Sequence, residues 1–172
     1  LSFSDNAEVS GEVVFAGYGL VVPDSQNFGY DSYATLDVKD KVVVVFRYFP
    51  EDADQKTRQI LSRYADLRYK AMQARQRGAK ALLVVTGPRS PNAGNIVPMT
   101  FDTALAGSGL VAASANGDVA QAIFAAMPDK PLEAQLIINL RGDGGRTLER
   151  SISVPVDMKS ERIGIKPSFQ GA

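Results

Sequence analysis

The chain has 172 residues, 45% of them apolar, and its 19 Lys plus Arg balance 19 Asp plus Glu to a net charge of zero. Such a chain can bury one sizeable core. Its composition is neither disordered nor membrane-spanning, and its neutrality removes any chain-wide electrostatic argument for nucleic acid or an anionic membrane. It contains no cysteine and no histidine. Disulfides, thiolate catalysis, cysteine zinc sites, a Ser-His-Asp triad and a histidine-bearing zinc centre therefore cannot be built from this chain alone. Carboxylate-only chemistry remains open, and so does the redox compartment. No apolar run approaches the roughly 20 residues of a membrane-spanning helix. The chain begins at Leu1 without Met or a signal sequence, and reads as a piece of something longer.

Residues 1–10 are polar and mixed, and are expected to form a loosely held entry. Residues 11–16 read as a strand, interrupted by Gly17-Tyr18-Gly19 and resumed over 20–22 before Pro23. Glycines inside a strand pattern mark a bulge or a close backbone approach. No helix start follows them, so they make a poor phosphate cradle. Residues 23–40 form a loop rich in Asp, Asn, Ser and Gly that carries Phe28, Tyr30 and Tyr33. These aromatics either line a binding rim or pin the loop to the body of the domain.

The organising stretch is 41–85. Two short β-branched runs, 41–46 and 80–85, have the character of strands buried on both faces. Between them Ile60, Tyr64, Leu67, Ala71 and Ala74 recur at helical spacing on one face. Gln59, Arg63, Asp66, Lys70, Gln73 and Arg77 recur on the other, with Asp66 and Lys70 spaced for an i,i+4 ion pair. Gly78 stands where a left-handed helix cap belongs. The unit is βαβ, with parallel strands. Glu51, Asp52 and Asp54 precede the helix; they lack the spacing of a calcium loop and suit its N-terminus.

Residues 86–100, with three prolines, make a long irregular loop of the kind that is functional or mobile. Residues 109–113 read as a buried strand. N-cap candidates follow over 114–118, and Val119, Ile123, Phe124 and Met127 define a second amphipathic helix. From 132 the period changes to two. Residues 132–140 and 148–158 form a hairpin around the glycine-rich turn 141–146. The Arg141-Gly142-Asp143 tripeptide is what a hairpin turn wants, and an adhesive role has little weight beside that. The chain divides into an entry segment (1–10), one domain (11–160) and a tail (161–172). The fold class is α/β (α+β), with mixed β-sheets or an open barrel flanked by two main helices.

The stretch 13–23 (VVFAGYGLVVP) resembles the opening strand of a protease-associated (PA) domain, in the variant carried by bacterial zinc aminopeptidases related to glutamate carboxypeptidase. The stretch 30–45 (YDSYATLDVKDKVVVV) is similar to the next segment of that pattern. Residues 69–79, ending in Arg-Gly-Ala, resemble the family's long helix, and 81–85 its following strand. Residues 110–114 stand where the family often has another strand. The resemblance spans residues 11–127.

It implies a non-catalytic lid or substrate- or partner-gating module beside a separate catalytic domain of the same parent chain. That parent would be an exported enzyme (periplasmic, secreted or cell-surface). Zinc would belong to the parent's catalytic domain, with no cofactor, catalytic residue or metal ligand in this segment. Peptide or protein substrate would be the partner, with no nucleic acid and no membrane span. The loops 23–40 and 86–101 would do the gating, and Tyr18, Phe28, Tyr30, Tyr33 and Arg89 would lie near the substrate or partner surface. An alternative is a stand-alone peptide- or protein-binding module that uses sheet-edge pairing near 152–158. A self-sufficient carboxylate enzyme, with Asp31 and Asp102 as its acids, is a third reading, and nothing in the sequence brings those two together.

Overall fold

The computed structural model describes residues 1–24, 29–98, 107–127, 132–137 and 151–153. Its strands are β1 (Gly11–Phe15), β2 (Val21–Val22), β3 (Tyr30–Asp31), β4 (Val42–Phe46), β5 (Ala81–Val85), β6 (Val111–Ala115), β7 (Leu132–Ile137) and β8 (Ser151–Ser153). Its helices are α1 (Gln55–Leu61), α2 (Leu67–Gln76) and α3 (Gly117–Ala126). Six strands form one open mixed sheet in the order β6-β5-β4-β1-β7-β8, and β2 with β3 makes a small antiparallel ribbon. The expectation of a mixed α/β fold holds; the sheet is open rather than closed into a barrel, and three α-helices accompany it among the described residues.

The parallel half is built from the βαβ unit. β4 pairs β5 from Val42↔Ala81 to Phe46↔Val85, and β5 pairs β6 in the same sense from Ala81↔Val111. β1 joins β4 through Val13↔Val42, and antiparallel β7 closes on its other side. Val42 to Val45 are all fully buried, because alternate residues of a strand serve opposite faces and both faces here are covered. Val42, Val44, Leu83 and Val85 pack towards Ala120 and Ile123 of α3. Val43, Val45, Leu82 and Val84 pack towards Ala71 and Ala74 of α2. Each such valine contributes about 1.5–3 kcal/mol by leaving water. The sheet thus sits between α2 and α3.

Where the helical segment 55–77 departs from expectation, the reason is local. It is not one helix but α1, a single 3₁₀ turn over 62–64, and α2. Asp66 restarts the helix: its carboxylate accepts from the backbone N–H groups of Arg68 (2.8 Å) and Tyr69 (3.2 Å). It is an N-cap, and no Asp66–Lys70 ion pair forms among the described residues. Lys70 and Gln73 lie inward beside Ala71 and Ala74, so the face expected to be polar is in part buried as well. α2 ends as the sequence implies. Gly78 has φ of 82°, with Gly78 N–H donating to Arg75 O (2.9 Å) and Ala79 N–H to Ala74 O (3.1 Å), the two bonds of a Schellman cap.

The N-terminal segment is also held more firmly than expected. Phe3 is buried in the core, Asp5 N–H donates to Leu110 O, and Ala112 N–H donates to the Ser4 hydroxyl. A lone core-sized aromatic among polar neighbours supplies the anchor. β6 lies two residues later than the strand read over 109–113, and α3 starts as expected on an N-cap from the 114–118 set, Asn116. β7 and β8 pair antiparallel through Leu136↔Ile152. Their turn (141–146) and the 161–172 tail lie outside the described residues. Among the described residues no helix is long and apolar enough to cross a membrane.

Candidate functional site

Strands β1, β4, β5 and β6 run parallel, so the loops that leave their carboxyl ends gather at one edge of the sheet. In open α/β sheets that edge is where ligands are usually bound. Three loops meet there: 16–20 after β1, 47–54 after β4 and 86–98 after β5.

The first loop is shaped by its two glycines. Gly17 and Gly19 have φ of 53° and 60°. Gly17 O accepts from Phe46 N–H (2.8 Å), and Gly19 N–H donates to Ala16 O (2.8 Å). A Cβ on Gly19 would stand 2.7 Å from Val45 Cγ1 and 3.2 Å from Tyr33 Oη, so the backbone approaches the sheet as only glycine allows. This tight return places the Tyr18 ring 5.5 Å from that of Phe46. Phe46 in turn meets Phe15 at 4.9 Å, and Phe15 meets Phe124 of α3 at 5.0 Å, both edge-on. The result is a half-buried aromatic row running from α3 to the strand ends.

The second loop supplies the acid. Tyr18 Oη donates to Glu51 Oε2 at 2.6 Å, and the Ser90 hydroxyl, from the third loop, donates to Glu51 Oε1. Arg58 of α1 clips the 51–53 backbone by donating to the carbonyls of Glu51 and Ala53. Burial alone would raise the Glu51 carboxyl; the two hydroxyls, its own backbone N–H and the charge of Arg89 outweigh it and hold the pKa below the usual carboxylate range. Burial, and then the bond to Glu51, push the Tyr18 phenol well above its usual value, so it stays a donor. One knot therefore ties all three loops.

A carboxylate held below its usual pKa is a poor base, and Ser90 donates to it with no imidazole between them, so the hydroxyl is not activated as a nucleophile. Among the described residues no three Asp or Glu side chains gather closely enough to hold a metal ion. What the edge offers is an ionised carboxylate, the exposed guanidinium of Arg89 and an aromatic row beside them. Those groups suit the N–H, C=O and apolar side chains of a peptide.

Of the residues singled out in the sequence, Tyr18 and Arg89 are brought together at Glu51. Tyr30 packs half-buried in the same small cluster as Tyr18, with Leu20, Val22 and Leu61. Tyr33 is buried beneath Arg77, whose guanidinium lies 4.7 Å from its ring centre. Its hydroxyl has no hydrogen-bond partner among the described residues, and burial, first of several causes, pushes its pKa up to about 12. Tyr33 thus takes the packing role that the sequence left open. Phe28 lies outside the described residues, as does Asp102. Asp31 pairs with Arg77 at 3.1 Å and accepts from Tyr33 N–H at 2.8 Å.

Sequence reasoning missed Glu51, Ser90 and Lys70. The first looked like one of three solvated acids, and Ser90 is one small polar residue in a polar loop. Lys70 is fully buried, and its Nζ donates to Phe46 O (2.8 Å) and Tyr48 O (2.6 Å). It grips the chain where β4 leaves the sheet, next to Tyr48 in the left-handed region at φ 67°. Burial pulls its pKa down to about 7, with Asp66 acting the other way. The available signal was Lys70 abutting the two small residues Ala71 and Ala74, which let α2 lie close to the sheet. The third loop is pinned as well. Thr86 Oγ1 donates to Asn95 O (2.8 Å), Gly117 N–H to Gly94 O (2.8 Å) and Val97 N–H to Ser114 Oγ (2.8 Å).

No protein-family model matches the chain, and no curated protein matches it. Among solved structures, an aminopeptidase from Aneurinibacillus sp. strain AM-1 is similar with a TM-score of 0.39 and 19% identity, over 72% of this chain and 23% of that one. The chain thus spans about a quarter of the length of that structure.

Proposed function

We propose that this chain is a non-catalytic protease-associated module. It would stand beside the catalytic domain of an exported zinc-dependent aminopeptidase and gate the approach of peptide substrates. The observation that carries this reading is the Tyr18–Glu51–Ser90 knot, which ties three loops together with no activated base or nucleophile among its own three side chains. The resemblance of 13–23 and 30–45 to the protease-associated pattern supports it. So does the absence of histidine and cysteine, which removes the nitrogen and sulfur ligands of the usual zinc centres from this chain. Glu51 and Arg89 would meet the peptide backbone, and the Phe46–Tyr18 row its apolar side chains.

The test compares the isolated chain with the full-length gene product on a panel of aminoacyl and peptide substrates with added zinc. The isolated chain is expected to be silent and the full-length product active. In the latter, Arg89→Ala and Tyr18→Ala should raise KM for longer peptides and leave kcat unchanged. Zinc-dependent hydrolysis by the isolated chain would overturn the reading. Silence in both would favour a stand-alone binding module.

A further inference from the structure

Of the six asparagines in the chain, only Asn116 is followed by glycine. An Asn-Gly pair is where a chain most readily modifies itself, because the glycine nitrogen has no flanking Cβ to hinder its approach to the asparagine Cγ. Asn116 is exposed at the N-cap of α3, within reach of water and base. In the folded chain, however, both reacting groups are engaged elsewhere. Asn116 Oδ1 accepts from Val119 N–H at 3.0 Å, with the Asn116 backbone extended at ψ 175°. The Gly117 N–H, whose nitrogen would attack, donates to Gly94 O at 2.8 Å. Gly94 belongs to the loop after β5 that also carries Arg89 and Ser90. It sits at φ 72°, and a Cβ there would stand 3.7 Å from Gly117 Cα. Buried Thr86 holds this part of the loop in place: its carbonyl accepts from Gly94 N–H (3.2 Å) and its hydroxyl donates to Asn95 O (2.8 Å).

We propose that Asn116–Gly117 is a self-modification site, a deamidation site that the docked 86–98 loop keeps closed. Reaction requires the loop to lift at Gly94 and the Asn116 side chain to leave Val119. The Gly117 nitrogen then gives its proton to solvent base and bonds to Asn116 Cγ. The Cγ–Nδ2 bond breaks, and the departing amide nitrogen takes up a proton and leaves as ammonia. Water opens the cyclic imide at either carbonyl, giving an aspartyl or an isoaspartyl residue. Water is the sole co-reactant. The two products differ in consequence. An aspartyl residue caps a helix as well as asparagine does, and its charge suits the N-terminus of α3. An isoaspartyl residue adds a methylene to the main chain and displaces Gly117 N–H from Gly94 O. That displacement frees the loop whose Ser90 holds Glu51, so one opening of the loop becomes a permanent change. Asn92 and Asn95, in the same loop, precede Ala93 and Ile96, whose Cβ atoms crowd the nitrogen. The inference stands independently of the peptidase reading.

The test incubates the whole chain at mildly alkaline pH and follows each asparagine by peptide mapping, reading the mass gained when the carboxamide NH2 becomes OH. The folded chain, the chain in denaturing urea, and the variants Thr86→Val and Asp66→Ala are compared, with Asn116→Asp as the zero. In urea, position 116 is expected to react ahead of every other asparagine. The folded chain should react at least about tenfold more slowly, since a local opening must come first. Thr86→Val keeps a similar shape and drops one hydrogen bond to the loop. It should speed the folded-state reaction about threefold or more and leave the rate in urea unchanged. Asp66→Ala removes the cap of α2, a comparable loss of stability away from the loop, and should leave the folded-state rate unchanged. Three results would overturn the proposal: equal rates folded and in urea, a different asparagine reacting first in urea, or no acceleration by Thr86→Val beyond that of Asp66→Ala. The last would make the opening global.

Discussion

Lys70 makes stability depend on pH in a window that holds the ordinary pKa of no other side chain of this protein. Its ordinary pKa is 10.5, and burial brings it to about 7 in the folded chain. Between those values the unfolded chain binds the proton that the folded chain has lost, so stability rises with pH. The chain has no histidine and no cysteine, so no other side chain has an ordinary pKa between about 7 and 9.5. Above about 10 the sign reverses, because Tyr18 and Tyr33 keep their protons longer folded than unfolded. Linkage over the window from pH 7 to about 9.5 gives a gain of about 3 kcal/mol. The neutral amine still has two N–H groups for Phe46 O and Tyr48 O, so the gain does not sacrifice those bonds.

Urea unfolding at half-unit pH steps, on the native chain and on Lys70→Met, reads this directly. Lys70→Met keeps the aliphatic stem and loses the amine. The two carbonyls lose their donor, at a cost of roughly 1–3 kcal/mol each, but at pH 7 this is offset by relief of a buried ammonium. The two proteins should therefore lie close at pH 7 and diverge by about 3 kcal/mol towards pH 9.5, with Lys70→Met nearly flat. Parallel profiles would refute the reasoning. They would mean that the two carbonyls stabilise the ammonium enough to cancel its burial.

Three further outcomes follow from the geometry. Tyr18→Phe and Ser90→Ala should each cost about 1 kcal/mol, and their double variant should depart from additivity by about 0.5 kcal/mol or more, since both serve one carboxylate. Additivity within experimental error in a urea double-mutant cycle would break the knot into unrelated contacts. Gly19→Ala should cost about 2–3 kcal/mol, combining left-handed strain with the Val45 clash, whereas Gly17→Ala should cost about 1 kcal/mol because its Cβ would meet open space. Equal thermal shifts for the two would contradict the close approach at Gly19. Asp66→Asn should be nearly neutral and Asp66→Ala should cost about 1 kcal/mol; a large loss in the Asn variant would restore the ion pair with Lys70 in place of the cap.

Most of the sheet was legible because burial on both faces leaves so few choices. A run such as Val42 to Val45 has no polar residue to turn outward, and the helical crossover between 55 and 77 fixes the next strand as parallel. What escaped was the width of the buried face. Asp66 reads equally well as an ion-pair partner and as an N-cap, and the structure uses it as the cap. Ala71 and Ala74 face inward as their spacing implies, but the buried face of α2 also takes in Lys70 and Gln73. The candidate site was legible only by halves. Tyr18 was marked by its flanking glycines, which report a backbone constraint locally. Glu51 and Ser90 are separated by 39 positions in the chain and meet only because β4 and β5 are neighbours in register.

The same register explains why the recognition edge and the buried lysine belong together. Lys70 fixes the backbone at Phe46 and Tyr48, and Glu51 follows within one turn of irregular chain, clipped again by Arg58. Phe46 also donates its N–H to Gly17 O, so the residue that Lys70 holds through its carbonyl sets the loop that presents Tyr18. Both arms of the Tyr18–Glu51 bond therefore trace back to the carboxyl end of β4. A substitution at Lys70 should accordingly disturb the peptide capture proposed for Glu51 and Arg89 as well as stability, although Lys70 itself touches no solvent. A substitution at Met72, only two residues further along α2, faces outward and should leave that capture unchanged. Two positions on one helix are thereby separated: Lys70 braces the strand edge from within, and Met72 does not.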